Sequence, residues 1–409
     1  MKDSIRPYPI ARLTPRGSQR AAEGHPWIYD NELDALPSCP DGTLVDAVSA
    51  KGRYIGTGYY NSRSKIRLRL ISRNSNDVFD QGFYRRRLQY AYNYRKAVLS
   101  PQDLRCCRLI FGEADQFPGL TVDRFENLLS VQILSLGTEQ NRDLILPQLI
   151  ALLEQEGQPV EGVYLRNDVA IRTLEGMKEE TGWYWYAGSI PPEPVTQILE
   201  NGIRYRVDVA QGQKTGFFLD QKFNRQAAAR IAEGKRVLDC CTHTGSFALN
   251  AAMADAQMVT ALDVSASSLA TAKENALLNG LEERIRFEER DVFDYLREKI
   301  QRHEKAFDYI ILDPPAFTKS RKTLPQAYRG YQELNTLAMR LLPRGGYLAT
   351  CSCSHFMTAE LFFEMLQKAA REAGVTLRQI EYRQQAWDHP ILPSVPETSY
   401  LKFWLLQIL

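Results

Sequence analysis

Residues 236–247 read RVLDCCTHTGSF, residues 258–265 MVTALDVS, residues 285–292 IRFEERDV and residues 307–317 FDYIILDPPAF. Each is a short run of β-forming side chains that stops at an aspartate. Helical stretches fill the gaps, at Ser246–Ala254, Ser267–Leu278, Val292–Arg302 and Tyr331–Leu342. A fifth strand, Gly346–Thr350, a helix over Thr358–Ala373 and a final apolar strand over Tyr400–Ile408 complete the series. Strand, turn and helix in regular alternation predict an α/β fold with a doubly wound, Rossmann-like parallel sheet.

The rest of the chain is organised differently. Residues 9–72 alternate short strands with turn signals at Asp41-Gly42 and Lys51-Gly52. The run IRLRLI at 66–71 has period two, which predicts a strand with Arg67 and Arg69 pointing outward. Residues 80–100 form a helix rich in Arg and Tyr, suited either to joining domains or to lying over RNA. Residues 106–187 predict a small α+β domain, and IPPEP at 190–194 a linker. The expected division is a β-rich domain over 1–75, an α+β domain over 76–190 and the α/β domain over 191–409.

The 409 residues carry 51 Lys or Arg and 49 Asp or Glu, but unevenly. Residues 1–100 hold 17 basic against 9 acidic side chains. A basic front on a mildly acidic body predicts contact with a polyanion, with Arg12, Arg16, Arg20, Arg67 and Arg69 as backbone contacts. The seven cysteines are odd in number and partly adjacent, which argues against a secreted disulfide scaffold, and no C-x2-C pair exists, which disfavours a zinc ribbon. No metal site is expected. The absence of an apolar leader in MKDSIRPYPIARL and of long apolar stretches predicts a cytoplasmic protein.

Acids at strand tips define the expected ligand. Asp239, Asp263 and Asp291 end three successive strands, at the edge where open α/β sheets bind ligands. Only one glycine, Gly245, precedes the first helix, so the three-glycine loop that approaches a pyrophosphate is missing and a dehydrogenase is disfavoured. Each acid alone can be a helix N-cap. Together they suit a nucleoside without phosphates: Asp263 for the ribose hydroxyls, Asp291 for the adenine amino group with Val292 over the ring edge, and Asp239 for an ammonium. Thr244, Ser246 and Val264 belong to the same loops. A cationic sulfonium on a neutral ribose, as in S-adenosylmethionine, satisfies this electrostatic pattern.

The fourth strand runs into DPPAF, with Asp313 at the same rim and a basic loop of Thr318, Lys319, Arg321 and Lys322 behind it. The fifth runs into TCSCSHF, where Cys351 and Cys353 share one side of an extended chain. A thiolate adding to C6 of cytosine makes C5 nucleophilic, which explains why a methyl-transfer site would carry a thiol. Asp313 then holds the base edge. Methylation at a base nitrogen needs no cysteine, and a non-catalytic RNA-binding protein needs no cofactor.

Several motifs in order resemble one family across nearly the whole chain: GHPWIYDNELD (24–34), LIFGEADQFPGLTVDRF (109–125), QGQKTGFFLDQ (211–221), VLDCCTHTGSF, FDYIILDPPAF, TCSCS and DHPILPSVPETSYLK (388–402). This set resembles the bacterial 23S ribosomal RNA large-subunit cytosine-5 methyltransferases, which are class I and dependent on S-adenosylmethionine. The resemblance implies a PUA domain at the front and a 23S ribosomal RNA substrate, naked or in an assembling large subunit, and it leaves a homodimer open. It places Lys214, Thr215, Gly216, Phe218, Asp220 and Gln221 beside the cofactor. The family's S-C-S cysteine maps onto Cys353, and the T-C-S nucleophile of more distant relatives onto Cys351; Cys353 is preferred. The loop departs from the usual S-Y-T-G-G-F, with His243 and Ser246 replacing Tyr and the second Gly. His355, beside the thiols, suits packing better than proton transfer.

Overall fold

The computed structural model describes residues 6–318 and 320–409. Met1–Ile5 and Lys319 of the basic loop lie outside the described residues. The chain forms two compact units. One comprises Met1–Gln197, Val207–Phe217 and Trp387–Thr398, and the other Ile198–Arg206, Phe218–Ala386 and Ser399–Leu409. Segments 207–217 and 387–398, which a single boundary at 191 assigns to the α/β part, thus pack with the first unit.

The first unit holds two sheets. The six-stranded sheet runs in the order 27–29, 66–72, 54–60, 44–48, 10–13, 33–35, around Ala11, Leu13, Ile28, Val45 and Leu68. The five-stranded sheet runs in the order 180–186, 162–167, 128–133, 120–125, 106–111. The Arg/Tyr helix spans Gln81–Val98, with Asp80 accepting from Phe83 N as N-cap. Two of its cations are engaged, Arg95 fully buried on Asp115 and Lys96 paired with Glu156, while Arg85 and Arg86 are exposed.

The arginines expected to face outward divide. Arg12 and Arg16 are exposed. Arg69 instead pairs with Glu113 (3.4 Å) and Glu175 (2.9 Å), and Arg20 with Glu32 (3.0 Å). Period two correctly gives the face on which Arg69 lies. It carries no information about the α+β half, whose glutamates meet that face.

The second unit is built on a seven-stranded sheet. Its strands are β1 (Arg236–Cys240), β2 (Met258–Asp263), β3 (Ile285–Glu289), β4 (Tyr309–Leu312), β5 (Tyr347–Ser352), β6 (Leu377–Arg383) and β7 (Lys402–Ile408), in the order β3-β2-β1-β4-β5-β7-β6. β1 to β5 are mutually parallel, and β7 pairs antiparallel with both β5 and β6. Helices α1 (Ser246–Met253), α2 (Ala266–Leu278), α3 (Val292–Gln301), α4 (Leu324–Leu341) and α5 (Ala359–Ala373) connect them. Central strands flanked by helices are apolar on both faces, which is why YIIL reads as a continuous hydrophobic run and Val237, Leu238, Val259, Ala261 and Leu262 are buried.

The helix Lys222–Ala229, α4 and β6 differ from expectation, the first because the alternation of strand and helix is legible in the sequence only from residue 229. α4 begins seven residues before Tyr331, because Pro325 occupies its first turn, where a missing N–H costs nothing. β6 was not foreseen: it is an edge strand with mostly exposed side chains, so its apolar pattern is weak. Among the described residues no helix is long and apolar enough to cross a membrane.

An ion pair anchors this unit's entry segment. Arg225 donates to Glu200 Oε1 (2.6 Å) and to the Phe218 carbonyl (2.6 Å), with both charged side chains essentially solvent-free. Removing one member of such a pair leaves a buried, uncompensated charge. Glu200→Ala is expected to destabilise the unit by about 3–5 kcal/mol, read from urea-dependent hydrogen exchange of peptides from 236–263. A loss under about 1 kcal/mol would contradict this account.

Candidate active site

The strand order reverses between β1 and β4, and the crevice beyond their carboxyl ends is where a doubly wound sheet accepts a ligand. Because β1, β2, β4 and β5 run in parallel, Asp239, Asp263, Asp313 and Cys351 all lie towards that one edge. Residues far apart in the chain are therefore neighbours.

Asp239 is fully buried. Its Oδ2 accepts from Thr242 Oγ1 (2.5 Å) and Ala248 N (2.9 Å), while Oδ1 has no partner among the described residues. Burial pushes its carboxyl up to about 7, and nearby Asp313 and Asp263 add to the rise. The loop after β1 turns through three left-handed residues, Cys241 (φ 62°), His243 (φ 51°) and Gly245 (φ 84°). Such conformations cost about 1–3 kcal/mol at a non-glycine residue, and they persist where the surroundings enforce them. At Gly245 an added Cβ would sit 3.1 Å from Ala272 Cβ, so both the left-handed backbone and the tight contact favour glycine. Thr244 Oγ1 is buried and also lacks a partner among the described residues. Ser246 begins α1.

Asp263 braces this loop from β2: it accepts from His243 N (2.8 Å) and Ser265 N (3.0 Å). Each carboxylate oxygen keeps a second lone pair for a ligand hydroxyl. Burial lowers the His243 imidazole to about 4, so it is neutral at physiological pH, with its ring edge-on to Phe218. Val264 is exposed and Val292 buried. Asp291 is exposed and caps α3 through Asp294 N (3.0 Å), the ordinary N-cap role open to any strand-tip acid.

The KTGFFLDQ segment is divided between the units. Lys214 (φ 53°) and Gly216 (φ 134°) belong to the first, where Thr215 Oγ1 donates to Asp123 (2.5 Å). Phe218, Asp220 and Gln221 belong to the second. There Tyr400 Oη donates to Asp220 Oδ2 (2.6 Å), and Gln221 Nε2 donates to Asp313 Oδ1 (3.0 Å). Asn224 in turn donates to Gln221 Oε1 (2.7 Å), which fixes the orientation of that amide.

The two thiols are not equivalent. Cys351 is fully buried inside β5, and burial, with Asp313 nearby, pushes its thiol well above the ordinary range. Cys353 lies just past the strand end and is partly exposed. Tyr331, from α4, is buried beside Ser352 and Cys353, and burial pushes its phenol up to about 12. His355 stacks edge-on against Phe356. Arg321 and Lys322 are exposed in a turn, and Thr318 is buried with its Oγ1 on the Ser320 carbonyl (2.7 Å). Among the described residues no three His, Cys, Asp or Glu side chains converge on a metal position. Thr242, Asn224, Tyr400 and Lys402 were missed in the sequence, because a supporting residue carries no signal apart from the group it supports.

Open acceptors at a buried carboxylate, an unpartnered hydroxyl and a second carboxylate, with no phosphate cradle, suit a cationic nucleoside cofactor. Residues 174–407 match the S-adenosylmethionine-dependent methyltransferase family, and residues 11–73 match a PUA-like domain. The chain is an S-adenosylmethionine-dependent methyltransferase with a PUA-like front domain. Over 92% of its length it is 42% identical to ribosomal RNA large subunit methyltransferase I of Tolumonas auensis, covering 94% of that protein. It is 39% identical to the protein of the same name from Yersinia pseudotuberculosis over 94% of the chain, covering 96% of that relative. It belongs to the ribosomal RNA large subunit methyltransferase I family. A solved chain from Streptococcus mutans, assigned to the SAM-dependent methyltransferases, shares the fold with a TM-score of 0.80 at 23% identity, over 97% of this chain and 99% of that one.

Asp239 supplies a pH test of the site. Its folded-state carboxyl titrates at about 7 against 3.8 for the free side chain, so between those values folding takes up a proton. Stability from this group is therefore lost as pH climbs through that window. Asp239→Asn is expected to raise the unfolding free energy relative to the parent by about 1–3 kcal/mol more at pH 8 than at pH 5, in urea titrations without ligand. A difference independent of pH would contradict the assigned burial of charge.

Proposed function

We propose that the enzyme transfers a methyl group from S-adenosylmethionine to C5 of a cytosine in 23S ribosomal RNA, through a thioether between Cys353 and C6. The observation that carries this reading is the contrast between the thiols. Cys351 is sealed and held neutral, whereas Cys353 is accessible at the strand edge that carries Asp239 and Asp313. The relatives' shared name supports ribosomal RNA as substrate.

Asp239, Thr244, Gly245, Ser246, Asp263, Val264, Asp291 and Val292 are proposed to hold the cofactor, with Phe218, Asp220 and Gln221 of the same unit beside it. Bound there, the cofactor supplies an electrophilic methyl on a sulfonium. The Cys353 thiolate adds to C6, and the electron pair of the C5–C6 double bond becomes available at C5. Asp313, oriented by Gln221, accepts a hydrogen bond from the amino edge of the base. After methylation a base removes the C5 proton, the C6–S bond breaks and the thiolate returns. The cytosine must leave its stack to reach this edge. The substrate is taken to be free RNA or an assembling large subunit, in the cytoplasm; a homodimer is compatible with this reading.

Labelled methyl transfer to undermodified ribosomal RNA, followed by nucleoside digestion, tests the reaction. Label is expected on C5 of cytidine. Cys353→Ala is expected to lose at least a thousandfold in kcat, while Cys351→Ala keeps a tenth or more. Label on a purine, or full activity of Cys353→Ala, would overturn the proposal.

Arg12 and Arg16, the exposed members of the basic set, are proposed to contact RNA phosphates. Replacing both with Gln should weaken RNA binding and reduce the slope of log K against log salt by roughly two. Arg69→Gln, which breaks internal ion pairs, should leave that slope unchanged.

A further inference from the structure

One buried cation at this edge has no role so far. Lys402 opens β7, directly opposite Ser352 in the β5–β7 register, and is 4% exposed. Its Nζ donates to the Ser354 carbonyl (2.5 Å) and to the Tyr400 carbonyl (2.7 Å). Ser352 and Ser354 flank Cys353, so the ammonium is tied to the carbonyl just after the thiol, while the Lys402 backbone lies opposite the residue just before it. Among the described residues no carboxylate pairs with Lys402. A buried lysine normally sits on a carboxylate, because an isolated ammonium in a low-dielectric site is expensive. A positive charge kept here without an anion is ready to favour one that forms nearby.

We propose that Lys402 is a positioning residue that fixes the Ser352–Ser354 turn and holds Cys353 ready as a thiolate. Its use in catalysis rests on the reading of Cys353 as nucleophile. The thiol proton leaves to water, the ammonium keeps its three protons throughout, and the thiolate regenerated at the end of the cycle meets the same charge.

The titratable groups around the turn are Tyr331 from α4, Asp313 beyond β4, Cys351 on β5, His355 after the turn and Lys402 on β7. Asp313 disfavours further negative charge in this region, and Cys351, held as the neutral thiol, carries none. Tyr331, with its phenol held at about 12, stays neutral. Lys402 is the cation in this set that favours a thiolate at neutral pH. Burial lowers its ammonium to about 8, and charge on Cys353 acts in the opposite sense, so each group supports the charged form of the other.

The test needs neither RNA nor cofactor. The full chain is treated with iodoacetamide between pH 5.5 and 10, and alkylation of the Cys353 peptide is timed by mass spectrometry. Lys402→Met is expected to move the half-rise up by at least one pH unit and to slow alkylation at pH 7 about tenfold. Lys402→Arg should stay within threefold of the parent. Lys402→Gln, which keeps a donor for the carbonyls, is the second variant should the methionine protein fold poorly, and the same shift is expected. Half-rises of Lys402→Gln or a folded Lys402→Met that coincide with the parent's would overturn the proposal. A merely structural lysine would change folding without moving that half-rise. Methyl-transfer activity of Cys353→Ala reports separately on the nucleophile, so the two ideas fail independently.

Discussion

The parallel run of β1, β2, β4 and β5 is the constraint on which the site depends. Parallel strands bring all their carboxyl ends to one edge of the sheet. That edge gathers an acid at 239, another at 263, another at 313 and the thiols near 352 from a stretch of more than a hundred residues. No local motif does this. The antiparallel pairing of β7 with β5 then adds a group from near the chain's end, placing Lys402 beside the turn that follows β5.

Within that frame, electrostatics separates the roles. Asp239 is so deeply buried that its charge is resisted, and one of its oxygens faces no donor. A cationic ligand would both satisfy that oxygen and stabilise its ionised form. The strained loop 241–245 is held by Asp263 through its backbone, so a carboxylate expected to serve only the ligand also shapes the loop that receives it. The same logic applies to the thiols. Burial inside β5 seals Cys351, and Cys353, two residues on, is left where a substrate could meet it.

Much of this was legible in the sequence. Apolar runs ending in aspartate give the strands and their direction, and the positions of Asp239, Asp263 and Asp313 follow from that alone. The gaps have physical causes. Pro325 reads as a break but is harmless in a helix's first turn. β6 is an exposed edge strand without a clear apolar face. Arg20 and Arg69 look like a basic surface because their acidic partners are distant in sequence or lie on another element. Asp291 is an exposed N-cap, a role that a strand-tip aspartate shares with ligand binding and that spacing does not distinguish. The KTGFFLDQ segment reads as one motif, yet the chain passes from one compact unit to the other between Phe217 and Phe218.

The central claim is that Cys353 becomes bonded to the base. RNA carrying 5-fluorocytidine at the target position retains its C5 substituent, so elimination of the thiolate is blocked and the adduct accumulates. Incubated with enzyme and cofactor, such RNA should yield a covalent complex whose proteolytic fragment carries the methylated nucleotide on Cys353. A complex joined through Cys351, or methyl transfer to ordinary RNA with no trapped adduct, would contradict the account.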